Sequence, residues 1–131
     1  MTSAEARTVG FMDLGTNSIR LLLVRIQPDY SYAVLTQLKQ TVRLGEGAFI
    51  HQHLQPDAID RAVFVARQFA QVARAHGAET IIAVATAATR EAVNQATFVQ
   101  QLQQEADLDV RVVSGLEEAR LISLGVASGV H

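Results

Sequence analysis

Two short apolar runs joined by a small polar turn constrain the fold of this chain more than any other feature. The runs Val9–Met12 and Leu21–Val24 each have the length of a β-strand, and residues 15–18, Gly-Thr-Asn-Ser, lie between them. Apolar runs of this length that are bounded by turn residues are typical of strands. The sequence therefore predicts a β-hairpin near the start of the chain.

The tip of this hairpin has the composition of an anion-binding turn. Gly15 lets the backbone approach a ligand closely, and successive N–H groups in a tight turn can surround a phosphate. Thr16, Asn17 and Ser18 add hydroxyl and amide groups. Asp13 ends the first strand at the same place, and Mg²⁺ beside a phosphate takes carboxylate ligands of this kind. An ordinary hairpin turn is the alternative, since turns favour these residue types in any case.

The composition narrows the class of protein. A length of 131 residues predicts one domain, and a formal net charge of −2 gives no electrostatic footprint for nucleic acid or for a membrane surface. The absence of cysteine excludes disulfides and thiolate metal sites. We find neither a signal-peptide pattern nor an apolar run of membrane-spanning length, and we expect a cytoplasmic protein.

Apolar periodicity after the hairpin alternates between strand and helix patterns, which predicts an α/β fold with a parallel component. The expected elements are a strand over Tyr32–Leu44 with a break near residues 38–40, a helix from Pro56 to a stop at His76-Gly77, a buried strand over Thr80–Ala85, a helix from Gln95 to about Ala106 capped by Asn94, a strand over Leu108–Val113, and a helix that begins at Ser114.

Two further sequence patterns do not indicate a nucleotide-binding or metal-binding site. The run Gly45-Glu46-Gly47 is not a dinucleotide fingerprint, and the chain has no Walker A sequence, so if the chain binds a phosphate-containing ligand, it does so without a P-loop. His51 and His53 lie in a loop with no third ligand near them in sequence. We expect a solvated loop there and no zinc site.

Thr86 and Arg90 come just after the buried strand. Ligands of open α/β sheets bind outside the carboxyl ends of the strands, and a guanidinium there could hold phosphate oxygens in a bidentate way. A surface arginine that caps local carbonyl groups or pairs with Glu91 is the alternative.

Two adjacent carboxylates open the last helix. Ser114 and Glu117 have the spacing of a capping box, in which the glutamate serves the backbone of the helix start. Glu118 lies about 100° further round the helix and is free to face a cleft, where it could orient a water molecule and take its proton. The alternative for Glu118 is an exposed helix acid.

Several of these segments together resemble the exopolyphosphatase/guanosine pentaphosphate phosphohydrolase (Ppx/GppA) family. The matching stretches are Asp-Leu-Gly-Thr-Asn-Ser-Ile-Arg at residues 13–20, Arg-Leu-Gly-Glu-Gly at 43–47, Thr-Ala-Ala-Thr-Arg-Glu-Ala at 86–92 and Ser-Gly-Leu-Glu-Glu-Ala-Arg-Leu at 114–121. The resemblance implies a ribonuclease H-like domain of the actin-like ATPase superfamily, with a mixed five-stranded sheet and helices on both faces.

The resemblance also implies roles for single residues. Glu118 matches the catalytic base, Arg90 matches an arginine that binds the polyphosphate chain, and Asp13 would help to hold Mg²⁺. The phosphate-binding set would be Gly15, Thr16, Asn17, Ser18, Arg20, Thr86 and Arg90. Thr89 departs from the leucine that is usual in the family, which we interpret as a change in packing.

The family's catalytic unit has two such halves, and this chain resembles the first. We expect a flexible tail over residues 1–7 and the N-terminal half over residues 8–128, with the second half absent and the isolated fragment largely inactive. The implied function is Mg²⁺-dependent removal of the terminal phosphate from polyphosphate or guanosine pentaphosphate, with no nucleic-acid or membrane partner. A homodimer is a further possible state, because an exposed interdomain face can self-associate.

Two other functions stay open at this point. One is a sugar-kinase-like phosphotransferase of the same superfamily, which would share the hairpin but not the Ser-Gly-x-Glu-Glu-Ala segment. The other is a non-enzymatic regulatory module that binds polyphosphate or an alarmone.

Overall fold

The computed structural model describes residues 5–29, 31–114, 116–117 and 120. Within them lies a five-stranded sheet of order β3-β2-β1-β4-β5, in which β1, β2 and β3 pair antiparallel and β4 pairs parallel with both β1 and β5. The mixed five-stranded sheet is therefore confirmed. The elements are β1 Arg7–Leu14, β2 Ser18–Ile26, β3 Tyr32–Thr41, α1 Ala48–His51, α2 Pro56–Ala75, β4 Thr80–Ala85, α3 Ala87–Arg90, α4 Gln95–Ala106 and β5 Val110–Val112.

The predicted hairpin is confirmed, and its first strand lies in the middle of the sheet. Leu14 of β1 pairs with Ile19 of β2, so the turn falls where the polar residues are. Nearly all of β1 is buried, because it has β2 on one side and β4 on the other. Asp13 is thereby placed between Arg20 and Val84 near the carboxyl end of the strand.

Helix α2 follows the predicted bounds. It begins at Pro56, has Asp57 in its first turn and is followed by Gly77 at a φ of 86°, a left-handed conformation that suits glycine. Its apolar residues recur at helical spacing and face the sheet. In the ranges that the structure describes, no helix combines the length and apolar character needed to cross a membrane. The buried residues of α2 are Ala58, Ile59, Ala62, Val63, Val65, Ala66, Phe69, Ala70 and Ala73.

The main core lies between one face of the sheet and the pair α2 and α4. Met12, Leu21 and Leu23 point into it, together with Phe98 and Leu102 of α4. The opposite face carries a smaller apolar cluster made by Val9, Phe11, Val24 and Ile26. Most of the helix predicted from Ser114 onward lies outside the described residues.

Strand β3 is shorter than predicted. It ends at Thr41, because Arg43 has a φ of 51°, which no strand can accommodate. Val42 and Leu44 are buried in the loop that follows and contribute to the core from there. The apolar alternation that suggested a strand therefore reflects burial within a loop.

The break predicted near residues 38–40 of β3 was also wrong. Leu23 pairs with Thr36 and Val24 pairs with Val34, so Leu35 is the extra residue of a bulge. A bulge inserts one unpaired residue and increases the local twist of the strand. Strand β5 is likewise shorter than the predicted Leu108–Val113.

Asn94 occupies the predicted N-cap position of α4, but its side chain does not cap the helix. Its Oδ1 accepts a hydrogen bond of 2.8 Å from the amide of Leu54, and its Nδ2 donates one of 3.0 Å to the carbonyl oxygen of the same residue. Leu54 is buried, and its backbone polar groups need partners that the loop does not supply.

The β2–β3 turn is closed by a side chain. Asp29 accepts hydrogen bonds from the hydroxyl of Ser31 at 2.6 Å and from its amide at 3.1 Å. These two bonds hold the pKa of Asp29 below its usual value, because they stabilise the charged carboxylate.

Candidate functional site

The β1–β2 turn brings the first predicted group of residues to one tip. The amide of Gly15 donates a hydrogen bond of 3.0 Å to the carbonyl oxygen of Ser18. A Cβ atom on Gly15 would lie 3.1 Å from that same oxygen, so the close approach favours glycine. Thr16 and Ser18 are half-buried, whereas Asn17 is exposed.

The loop that follows β3 holds this turn from one side. The carbonyl oxygen of Thr16 accepts a hydrogen bond of 2.8 Å from the amide of Gly45. The carbonyl oxygen of Asn17 accepts two, from the amides of Val42 and Arg43, both at 2.9 Å. The conformation of the turn therefore depends on a segment more than twenty residues away in sequence.

These bonds fix the direction of two amides. A trans peptide points its N–H opposite to its C=O, so the N–H groups of Asn17 and Ser18 point away from the loop that holds Thr16 and Asn17. Over the part of the chain that the structure describes, the amide of Asn17 has no hydrogen-bond acceptor. Neighbouring amides that leave a turn on one side have the arrangement of an anion-binding nest.

Arg61 of α2 forms hydrogen bonds with the loop that follows β3. Its Nε donates a hydrogen bond of 2.9 Å to the carbonyl oxygen of Val42, and its Nη2 donates one of 3.2 Å to that of Arg43. Its Nη1 pairs with Asp57 at 3.3 Å. The sequence carried no signal for this role, because the contacts join a helix to a loop whose backbone conformation was not predicted.

The second predicted group lies next to the turn. The amide of Thr86 approaches the carbonyl oxygen of Leu14 at 3.4 Å. A Cβ atom at Gly45 would lie 3.6 Å from that of Ala88, so α3 adjoins the same loop. The turn and the Thr86–Arg90 segment therefore meet at one edge of the sheet, at the carboxyl ends of β1 and β4.

Arg90 makes the contacts expected of a surface arginine that binds carbonyl groups and pairs with Glu91. Its Nη1 donates a hydrogen bond of 3.0 Å to the carbonyl oxygen of Val113, and its Nε lies 3.4 Å from Oε1 of Glu91. Its side chain is 40% exposed. These bonds hold the guanidinium at the end of β5, on the edge that also carries the turn.

Asp13 has an unusual environment for a carboxylate. Its Oδ1 is buried and has no hydrogen-bond partner in the described residues. An unpaired buried oxygen of this kind costs free energy, and a bound cation would satisfy it. Asp13 is therefore fitted to hold a metal ion.

The donor set around Asp13 suits one class of metal. Across the described ranges, no group of three or more His, Cys, Asp and Glu side chains comes together. Mg²⁺ is commonly held by one or two carboxylates together with water and phosphate oxygens, which matches a single aspartate beside an anion-binding turn. His51 and His53 are exposed, and Nδ1 of His53 lies 2.9 Å from the carbonyl oxygen of His51.

Thr89, where the sequence departs from the family pattern, is a packing position. The residue is 1% exposed. Its hydroxyl is buried and has no hydrogen-bond partner among the described residues. Thr89 is thus one of the two buried residues of α3.

Glu118 lies outside the described residues, and its role stays a prediction. The helix start that precedes it is described. The hydroxyl of Ser114 accepts a hydrogen bond of 3.1 Å from the amide of Glu117, which is the N-cap bond expected from the capping box. Ser114 directly follows Val113, the residue that Arg90 contacts.

A cavity of about 500 Å³ opens beside Asp13 on the face of the sheet. Its polar side chains are Asp13, Arg20, Gln37 and Lys39, and Phe11 and Leu22 give it apolar walls. The sequence had singled out Asp13 and Arg20 but not Lys39. The register of β3 against β2 was the missing information, since Lys39 lies directly opposite Arg20.

Comparison with known proteins agrees with this geometry. The sequence model of the Ppx/GppA phosphatase family matches residues 23–131. Because the match spans most of the chain, this chain belongs to the Ppx/GppA phosphatase family. Its fold is accordingly that of the ribonuclease H-like, actin-like ATPase superfamily.

Three solved structures illustrate the likeness. A Ppx/GppA family member from Aquifex aeolicus is 28% identical with a TM-score of 0.85, over 93% of this chain and 40% of that one. An exopolyphosphatase from Cytophaga hutchinsonii is 30% identical with a TM-score of 0.82, over 88% and 36%. An exopolyphosphatase-like protein is 33% identical with a TM-score of 0.81, over 89% and 36%. The chain thus covers 36–40% of these relatives.

Proposed function

We propose that this chain belongs to a Mg²⁺-dependent phosphohydrolase that removes the terminal phosphate from inorganic polyphosphate, from guanosine pentaphosphate, or from both. Family membership supports a phosphatase. The observation that carries the proposal is the buried Oδ1 of Asp13, which has no hydrogen-bond partner among the described residues. It lies next to a turn in which the amides of Asn17 and Ser18 point away from the loop after β3. This arrangement places a carboxylate that can bind a cation next to backbone amides that can bind a phosphate.

The described residues would bind the substrate in distinct ways. The amides of Asn17 and Ser18 would donate to oxygens of the terminal phosphate, and Thr86, whose backbone lies at the same edge, would add its hydroxyl. Arg20 and Arg90 would neutralise further oxygens. Asp13 would hold Mg²⁺, which supplies charge neutralisation when it is bound.

Hydrolysis requires a base and an attacking water. Under this proposal the carboxylate of Glu118 takes a proton from water as the water oxygen bonds to the terminal phosphorus. The phosphoanhydride bond then breaks, and its oxygen stays on the shortened chain. The products are orthophosphate and a substrate one phosphate shorter, with little covalent chemistry for the protein beyond positioning and charge.

The isolated chain would hold only part of the active site. It covers 36–40% of the relatives it matches, all of which carry further residues. We therefore expect the 131 residues alone to turn over little or no substrate, whereas the full-length protein is active. The cytoplasmic location and the homodimer stay predictions from the sequence.

The test is phosphate release by the full-length protein from long-chain polyphosphate and from guanosine pentaphosphate, with Mg²⁺ present and with Mg²⁺ removed by a chelator. We expect release from at least one substrate, without any acceptor and only with Mg²⁺. Release that requires a hydroxyl acceptor would identify a phosphotransferase instead. Tight binding of either substrate with no release under any condition would identify a regulatory module.

A further inference from the structure

Three charged side chains stand in a row across three adjacent strands. Asp13 of β1 lies directly opposite Arg20 of β2, and Arg20 lies directly opposite Lys39 of β3. Directly opposed residues of antiparallel strands project from the same face of the sheet. The row therefore runs across one face as a carboxylate, a guanidinium and an ammonium group.

The row lines a single cavity. The cavity of about 500 Å³ is lined by all three residues. Phe11 and Leu22, which lie two positions from Asp13 and Arg20 on the same face of the sheet, form its apolar walls. With neighbouring strands about 4.8 Å apart, Asp13 and Lys39 are separated by about 10 Å. That span fits a short linear chain of phosphates lying across the sheet.

Neither Arg20 nor Lys39 forms a salt bridge with a residue in the described ranges. Like charges directly opposite each other in a sheet are destabilising. Lys39 is also the single lysine of the 131 residues, whereas the other cationic side chains are arginines. A multivalent anion bound between the two would relieve their repulsion.

We propose that Lys39, together with Arg20, binds the phosphates that follow the terminal one, so that the substrate runs from the β1–β2 turn across the sheet towards β3. This inference rests on the proposed function and extends it to a specificity-determining residue. Arg20 can hold a phosphate in a bidentate way, and Lys39 acts as a point charge at the far end. Only a substrate with several phosphates behind the cleaved bond reaches Lys39.

The first test compares three variants of the full-length protein: Lys39→Gln, Lys39→Arg and, as the matched control, Arg25→Gln. Arg25 is an exposed cation of the same strand as Arg20, but it projects from the opposite face. Thermal unfolding checks that each variant is folded. KM and kcat are measured with tripolyphosphate and with long-chain polyphosphate.

We expect Lys39→Gln to raise KM for long-chain polyphosphate about tenfold, the equivalent of one lost charge-assisted contact, with kcat nearly unchanged. The increase should be smaller with tripolyphosphate, Lys39→Arg should retain most of the affinity, and Arg25→Gln should behave like wild type. A KM for Lys39→Gln equal to that of wild type on both substrates would overturn the inference and leave the proposed hydrolysis standing.

The second test does not depend on turnover. An amine-reactive ester modifies Lys39 and the N-terminal amine, and mass spectrometry follows the peptide that contains each. Added long-chain polyphosphate should slow the modification of Lys39 and leave that of the N-terminal amine unchanged. Protection of Lys39 in a protein that releases no phosphate would sustain the inference while the proposed function fails. Equal rates with and without long-chain polyphosphate would overturn it.

Discussion

The amide of Gly45 donates a hydrogen bond of 2.8 Å to the carbonyl oxygen of Thr16, and no room remains between the two residues for a further methyl group. A Cβ atom at Gly45 would overlap Cγ2 of Thr16. The turn and the loop after β3 therefore fit each other closely, and the direction of the turn amides depends on that fit.

Gly45→Ala should displace the turn. We expect it to lower the free energy of unfolding by about 1–3 kcal/mol and to weaken phosphate binding, because the added methyl group overlaps Thr16. Thr16→Ser removes the methyl group it overlaps and keeps the hydroxyl. In urea unfolding and in tripolyphosphate binding, the double variant should therefore recover most of the loss. A double variant no better than Gly45→Ala would contradict this account of the fit.

Arg61 should stabilise the same loop through its bonds to two backbone carbonyl groups. We expect Arg61→Lys to lower the free energy of unfolding by about 1–3 kcal/mol, because the carbonyl groups of Val42 and Arg43 lose their donors. Asp57→Asn serves as the control. It removes the pair of Arg61 with a carboxylate that is 76% exposed and the favourable negative charge in the first turn of α2, which together should cost no more than about 1 kcal/mol. Equal losses in the two variants would show that the loop bonds contribute nothing.

Glu91 and the substrate should compete for Arg90. Glu91→Gln removes the carboxylate that lies 3.4 Å from the guanidinium, so KM for polyphosphate should stay the same or fall. Arg90→Lys keeps the charge but loses the planar fork, and we expect KM to rise about tenfold. If Glu91→Gln raises KM as much as Arg90→Lys does, the ion pair with Glu91 is the important contact and Arg90 has only a structural role.

Asp13→Asn should abolish the binding of Mg²⁺ without lowering the stability of the metal-free protein. Without Mg²⁺ the variant should unfold at the same temperature as wild type or higher, because it no longer buries a carboxylate oxygen that has no partner in the described part of the chain. Added Mg²⁺ should stabilise wild type but not the variant. Phosphate release should fall about a hundredfold or more.

Asp60→Asn, on the exposed side of α2, is the control for Asp13→Asn and should keep both the Mg²⁺ response and the activity. A Mg²⁺-dependent rise in unfolding temperature that persists in Asp13→Asn would place the metal elsewhere.

Much of the fold was predictable because its periodic elements are long. The hairpin, α2, β4 and α4 follow from apolar spacing and from turn and stop residues such as Gly15 and Gly77. The end of β3 was not predictable from the same pattern, since Val42 and Leu44 alternate like strand residues but are buried in a loop. The left-handed conformation of Arg43 that ends the strand has no signature in its residue type.

The candidate site was only partly predictable from sequence. The turn residues and Thr86 could be placed on one edge because they follow strands whose carboxyl ends meet. The contacts of Asn94, Arg61 and Lys39 could not be predicted, because each depends on the packing or register of segments distant in sequence. The short helices α1 and α3 have too few residues for any periodicity to show.

The most direct measurement of the central claim is phosphate release from long-chain polyphosphate by full-length Glu118→Gln in water labelled with heavy oxygen, with Glu117→Gln as the matched neighbour. Wild type and Glu117→Gln should release orthophosphate that carries one heavy oxygen atom, whereas Glu118→Gln should bind the substrate with unchanged affinity and release almost none. Equal rates for the two variants, or orthophosphate without the label, would contradict hydrolysis at this site.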